Sequence, residues 1–243
     1  MSTATPTRRV DPDPSATLDL LRLWLGRRVS ADAARWLDAE IERQRGAVDE
    51  RRLGMALGLV SRRIGRADLS PTEDDMAAAQ ALRPCWKPET WGTHEAARVA
   101  LVLATWNGEP GPFAARVDRL CATGELSEHV ACLKGFAVFP APERLHTRAR
   151  EAMRSSVQPV FEAIACHNPY PADQFDAAAY NQMVVKCVFS GLPIATIVGL
   201  DERRNDDLVR MLRDLVSERH AAGRPVADAV HSWIAGTAAT PPH

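Results

Sequence analysis

Short stretches rich in proline and glycine interrupt this chain again and again: LRPCWKP, WNGEPGP, ATGELS, FPAPE, HNPYP, SGLP and AAGRP. Proline cannot continue a helix and glycine readily ends one, so each stretch is a stop signal. Between the stops, apolar residues recur at helical spacing. Leu18, Leu21 and Leu25 stand at i, i+3 and i+7, and Trp36, Leu37 and Ile41 continue after a cap at Ser30 or Asp32. Leu53, Leu57 and Val60 follow, then Met76 with its alanine run. The same period extends over 94–106, 113–122, 127–139, 143–154, 159–167, 176–190, 203–221 and 226–234. No alternating run is long enough for a strand, so the fold class is all-α. Helices joined by short turns predict stacked helical hairpins, a HEAT- or armadillo-like α-α superhelix with about 40–47 residues per repeat. An irregular helical bundle is the second choice, because no fixed motif recurs.

The segmentation predicts one helical domain over 15–235, with disordered tails at 1–14 and 236–243. Residues 1–15, MSTATPTRRVDPDPS, have no apolar stretch after their arginines and do not form a secretory signal. The longest nearly apolar run, VFSGLPIATIVGL, is broken by glycine and proline and is too short for a transmembrane segment; peripheral membrane contact stays open. Five cysteines, an odd number without a CxxC, point to core thiols in a reducing, cytoplasmic setting. A formal net charge of −1 argues against a nucleic-acid partner. Residues 1–70 carry thirteen arginines against ten acidic residues, net +3, which a solvated arginine-rich surface accounts for more simply than an anionic headgroup does.

The segment NPYPADQFDAAAYNQMVVKCVF, 168–189, raises the functional question. On a helical wheel Asn181, Gln182 and Lys186 sit amid Ala177, Tyr180, Met183, Val184, Cys187 and Val188. A helix apolar nearly all round is expected to be buried. Its polar groups then need partners, since an unpaired buried one costs ~1–3 kcal/mol. Lys186 is one of three lysines among 30 basic residues, so an ammonium is chosen here where arginine is the rule. It could serve as a base or an anion anchor, or simply send its stem to the surface or pair with a structural carboxylate. Glu162, within FEAIA and just after Pro159, is the first candidate partner, with Asp176 and Asp201 next.

Residues 154–224 resemble the EboA family, through VFEAIA, NPYP, FD, NQM-K, GLDER-N and ER-AAGR. These stand at Phe161–Ala165, Asn168–Pro171, Phe175–Asp176, Asn181–Lys186, Gly199–Asn205 and Glu218–Arg224. Weaker similarity reaches back through ELSEHVACLKGFAVFPAPERL and WGTHEAARVALVLA. The resemblance implies a place in a gene set that makes or exports a secondary metabolite, beside a prenyltransferase, TIM-barrel proteins, a sugar-phosphate-cyclase-like enzyme and a hydrolase. It supplies no chemistry for this component.

Other constellations are weaker. Glu143 and His146 form one ExxH, but a di-iron site needs a second, so no metal is expected. His129 with Cys132, and Cys166 beside His167, lack zinc spacing, and adjacent residues on a helix point apart. No phosphate-cradling glycine loop or GxSxG is present, and no cofactor is expected. Asp201 is expected to cap the helix after Gly199, with Arg203 and Asn205 in its first turn, where an anion is welcome. Two functions follow. One is an accessory protein that binds a polar small-molecule intermediate or scaffolds other pathway enzymes, with Asn168, Tyr170, Asn181, Gln182, Asp201 and Arg203 as binding residues. The other is a metal-independent enzyme of the isomerase, lyase or cyclase type, with Lys186 and Glu162 as base and acid.

Overall fold

The computed structural model describes residues 12–236. Among them lie thirteen α-helices: α1 Pro14–Arg28, α2 Ala31–Gly46, α3 Glu50–Arg63, α4 Glu73–Leu82, α5 Thr93–Leu103, α6 Pro110–Thr123, α7 Leu126–Gly135, α8 His146–Arg154, α9 Gln158–Ala165, α10 Tyr170–Gln174, α11 Ala177–Phe189, α12 Asp206–Ala221 and α13 Asp228–Ala235. Single 3-10 turns lie at Pro88–Thr90, Pro142–Leu145 and Ile194–Thr196. The only β pairing among the described residues is an isolated bridge between Asp68 and Gly92. The fold is all-α, as the spacing predicts. Nearly all of both expected tails falls outside the described residues, but Pro14 already opens α1 and Asp13 caps it through Ser15 N and Ala16 N.

Local chemistry sets the boundaries. Ser30 caps α2, Thr72 and Asp75 form a reciprocal capping box on α4, and Asp176 caps α11. Pro159 sits in the first turn of α9, where its missing N–H costs nothing. The last turn of α12 ends at Ala221, ahead of left-handed Gly223 and then Pro225.

Helix α5 is the centre of the molecule, with ten of its eleven residues buried. Helices α1, α2 and α3 pack against it on the N-terminal side, and α7 packs against it on the other. From there α7 meets α9, α9 meets α11, α11 meets α12 and α12 meets α13. Helix α5 can take this place because its small side chains, Ala96, Ala97 and Ala100, allow close approach, while its charged residues have partners. Glu95 Oε2 accepts from Gly92 N (2.8 Å) and Lys134 Nζ (2.6 Å), and Arg98 Nε donates to Leu57 O (3.3 Å). Near α1, Trp24, Trp86 and Trp91 form an aromatic row, the first pair tilted with centroids 5.5 Å apart and the second edge-to-face at 5.6 Å.

The segment expected to be surrounded, α11, is instead one-sided. It buries Tyr180, Asn181, Met183, Val184, Cys187 and Val188, but leaves Ala177, Ala178 and Gln182 exposed and Phe189 57% exposed. Ala177 and Ala178 have only a methyl group to bury, so leaving them exposed costs little and a wheel rich in alanine overstates how much of a helix is core. Overpacking should therefore hurt in α5 and not on the open face of α11. Ala100→Leu is expected to cost about 1–3 kcal/mol in urea unfolding, and Ala178→Leu to stay within about 0.5 kcal/mol.

Candidate ligand cleft and its supports

Helix α9 ends abruptly. Cys166 N closes the last turn on Glu162 O (2.9 Å), and Cys166 itself is extended. His167 then adopts φ 55°, the left-handed region that side-chain-bearing residues avoid at a cost of about 1–3 kcal/mol. Three attachments hold it there. His167 N donates to Thr196 O (2.7 Å). The buried Asn168 amide donates to Leu133 O of α7 and Ala163 O of α9, both at 3.0 Å. Asn168 Oδ1 accepts from Tyr170 N at 3.0 Å. One side chain thus ties two helix ends to the start of α10.

The strained turn borders a cleft of about 370 Å³ between α7, α9 and the Ile194–Thr196 turn. Cys166 and His167 both line it, with Glu162 from α9, Lys134 from α7, and Thr90 and Thr196. Apolar surface comes from Val130, Pro159, Leu192 and Pro193. Lys134 Nζ is fixed by Glu95 (2.6 Å) and by Thr90 O (3.2 Å). Glu162 accepts from Gln158 Nε2 (2.6 Å) and is half-buried. Burial keeps the His167 imidazole below its ordinary pKa, hence neutral near pH 7, and the ring has no hydrogen-bond partner among the described residues. The buried Cys187 thiol beside Cys166 lowers the Cys166 pKa while its own is raised, so the thiol nearer the cleft is the more acidic of the two. An ammonium, a carboxylate, a thiol and a neutral imidazole therefore face one small cavity. Cys166 and His167 can both line the cleft because the helix stops at Ala165 and neither lies within it. Asn168-Pro169 just beyond is the sequence signal for that stop.

The other expected site residues are spread over separate places. Lys186 does not meet Glu162, Asp176 or Asp201. Its Nζ donates to Met153 O (2.6 Å) and Ser155 O (2.8 Å) and lies 4.2 Å from the centre of the Phe161 ring. It thereby caps the C-terminus of α8, and burial lowers its pKa. Asp176 is taken by Arg150, at 2.6 Å. Asp201 does not cap α12; Asn205 does, through Leu208 N (2.9 Å), because the chain turns once more after left-handed Gly199 before the helix begins. Asp201 Oδ1 instead accepts from Trp233 Nε1 (2.7 Å), beside a cavity of about 650 Å³ under α13. Arg203 also precedes α12. It donates to Ala172 O (2.6 Å) and Phe175 O (2.8 Å) with its guanidinium 4.5 Å from the Tyr180 ring centre. Tyr170 Oη donates to Pro142 O (2.8 Å). Asn181 and Asn205 exchange reciprocal amide hydrogen bonds, both 3.0 Å. Gln182 lies on the exposed side of α11, next to Lys186. Glu162 is the one member of the expected set in the cleft, with Asn168 directly behind it.

The fold and cleft define a class: an all-helical protein with a preformed, small-molecule-sized recess of mixed polarity. A family model described as "Metabolite traffic protein EboA" matches residues 17–235, and the chain belongs to the EboA family. No curated protein and no solved structure matches it.

Three substitutions test this geometry. Asn168→Ala removes three buried hydrogen bonds and strands the Tyr170 N–H, and should cost about 2–4 kcal/mol in unfolding free energy. Gly199→Ala adds a Cβ 2.7 Å from that of Ala172 at φ +76° and should destabilise by about 1–3 kcal/mol. Lys186→Met and Glu162→Gln should add within about 0.5 kcal/mol in a double-mutant cycle, because the two side chains do not touch; strong coupling would contradict the separation.

Proposed function

We propose that this protein binds a polar small-molecule intermediate of a secondary-metabolite pathway in the cleft between α7 and α9 and hands it on within metabolite traffic. The observation that carries the reading is His167. Its backbone is held in an unfavourable region by three fixed attachments, and its neutral, unpartnered ring faces a cavity. Strain maintained by surrounding structure is characteristic of binding sites. The ring can donate to or accept from an oxygenated ligand, Glu162 offers a carboxylate, the Glu95-paired Lys134 offers a positioned ammonium, and the apolar wall takes the carbon skeleton. The printed family description supports the traffic role.

The successive docking of α7, α9, α11 and α12 supports a stack of hairpins over a closed bundle, and we read 15–235 as one domain. No helix of the described residues is long and apolar enough to cross a membrane. We propose a cytoplasmic location, which an odd number of cysteines without a CxxC supports. An acid–base pair of Lys186 with Glu162 is not the basis of the proposal, because the two serve different cavities.

The test is retention of metabolite. Protein purified from cells that run the pathway is expected to carry a small molecule detectable by mass spectrometry. His167→Asn keeps a residue type that tolerates the left-handed backbone but removes the ring. It should lower retention at least about tenfold, the worth of one lost well-placed hydrogen bond to a buried ligand, with the melting temperature unchanged. Equal retention by wild type and variant, or no retained metabolite alongside co-purifying pathway enzymes, would favour a scaffold instead.

A further inference from the structure

A third cavity, of about 290 Å³, lies between α8 and α11. Arg150 and Arg154 of α8 and Gln182 and Lys186 of α11 line it, with the side chains of Met153 and Met183 as apolar surface. No acidic side chain is in its lining. Arg150 is balanced by Asp176 (2.6 Å) and also donates to His146 Nε2 (2.7 Å). The other two cations have no such counterweight. Among the described residues neither Arg154 nor Lys186 has a carboxylate within ion-pairing distance.

Lys186 is the instructive member. Met153 O and Ser155 O, at the C-terminus of α8, fix its ammonium in place. A helix end contributes only about half a negative charge and the Phe161 ring face no net charge, so a half-buried positive charge is left without an anion. Partly desolvated charge of this kind is costly without a counter-ion. We propose that this cavity is an anion site, separate from the α7–α9 cleft, for a small molecule bearing a phosphate or carboxylate group. Lys186 supplies a fixed charge at the wall, Arg154 a planar fork at the rim and Gln182 a neutral donor on the open side of α11. The volume, just below the ~300–1,000 Å³ usual for ligand sites, fits one anionic group with a short organic part. Burial lowers the Lys186 pKa, and an anion in the cavity would raise it again.

The experiment is isothermal titration calorimetry of the full chain with inorganic phosphate and, separately, acetate. Wild type should bind at least one of them saturably, and the preferred ion distinguishes a phosphoryl ligand from a carboxylate. Arg154 makes no ion pair that the fold relies on, so Arg154→Gln should leave the melting temperature unchanged. It should weaken binding about tenfold, the worth of one charge a few ångströms away near the surface. Arg62→Gln, exposed on α3 away from the cavity, should bind as wild type does. The proposal is overturned if neither ion binds saturably, if Arg154→Gln binds as tightly as wild type, or if Arg62→Gln weakens binding equally. None of these results bears on His167 or metabolite retention, so the two sites stand or fall separately.

Discussion

Short helices have carbonyl ends that something must satisfy, and the C-terminal half of this protein is organised around that constraint. Helices α8, α9 and α10 have nine, eight and five residues. Helices of that length are marginal on their own and leave a large share of their carbonyls without an intrahelical partner. Side chains from elsewhere in the chain meet them. Lys186 takes the end of α8, Asn168 the end of α9, and Arg203 takes Ala172 O and Phe175 O around the end of α10. Tyr170 holds Pro142 O, Tyr180 holds Val198 O and Arg204 holds Ile234 O near the end of α13. The polar residues placed among apolar ones are mostly the clasps of this arrangement.

The clasps also explain how a site can be precise without long rigid elements. The cleft beside His167 is bounded by the end of one helix, the middle of another and a single 3-10 turn. None of these would keep its place alone. Asn168 fixes two of them to each other, and the His167 N–H fixes the third. The chemistry offered to a ligand is therefore supported by groups that never touch it.

Much of the architecture was legible because helix periodicity and breakers are local signals. Ser30 as a cap, Pro159 as a start and Gly223 as a stop all act within one turn of the residue concerned. The partner of Lys186 was not legible, since its acceptors are backbone carbonyls, and every residue type has one. Carboxylates are visible in a sequence and carbonyls are not, which pulled the expectation toward Glu162. The role of Asp201 was misjudged for a similar reason. Two cap-forming residues, Asp201 and Asn205, stand one turn apart, and only the left-handed backbone at Gly199 decides which of them begins α12. The centrality of α5 over α11 depends on which alanine-rich surface finds neighbours, a property of the whole packing.

The paired amides of Asn181 and Asn205 have a consequence in evolutionary terms. Each is both donor and acceptor to the other, at 3.0 Å in both directions across 24 residues of chain, and Asn205 at the same time starts α12. Loss of Asn205 leaves the buried Asn181 amide with nothing complementary to face, whereas loss of Asn181 leaves Asn205 still bonded to Leu208 N and Arg203 O. Drift at position 205 is therefore blocked while Asn181 is unchanged, and position 181 is the freer of the two. Among diverging descendants of this gene, change at 205 should follow change at 181 and not precede it.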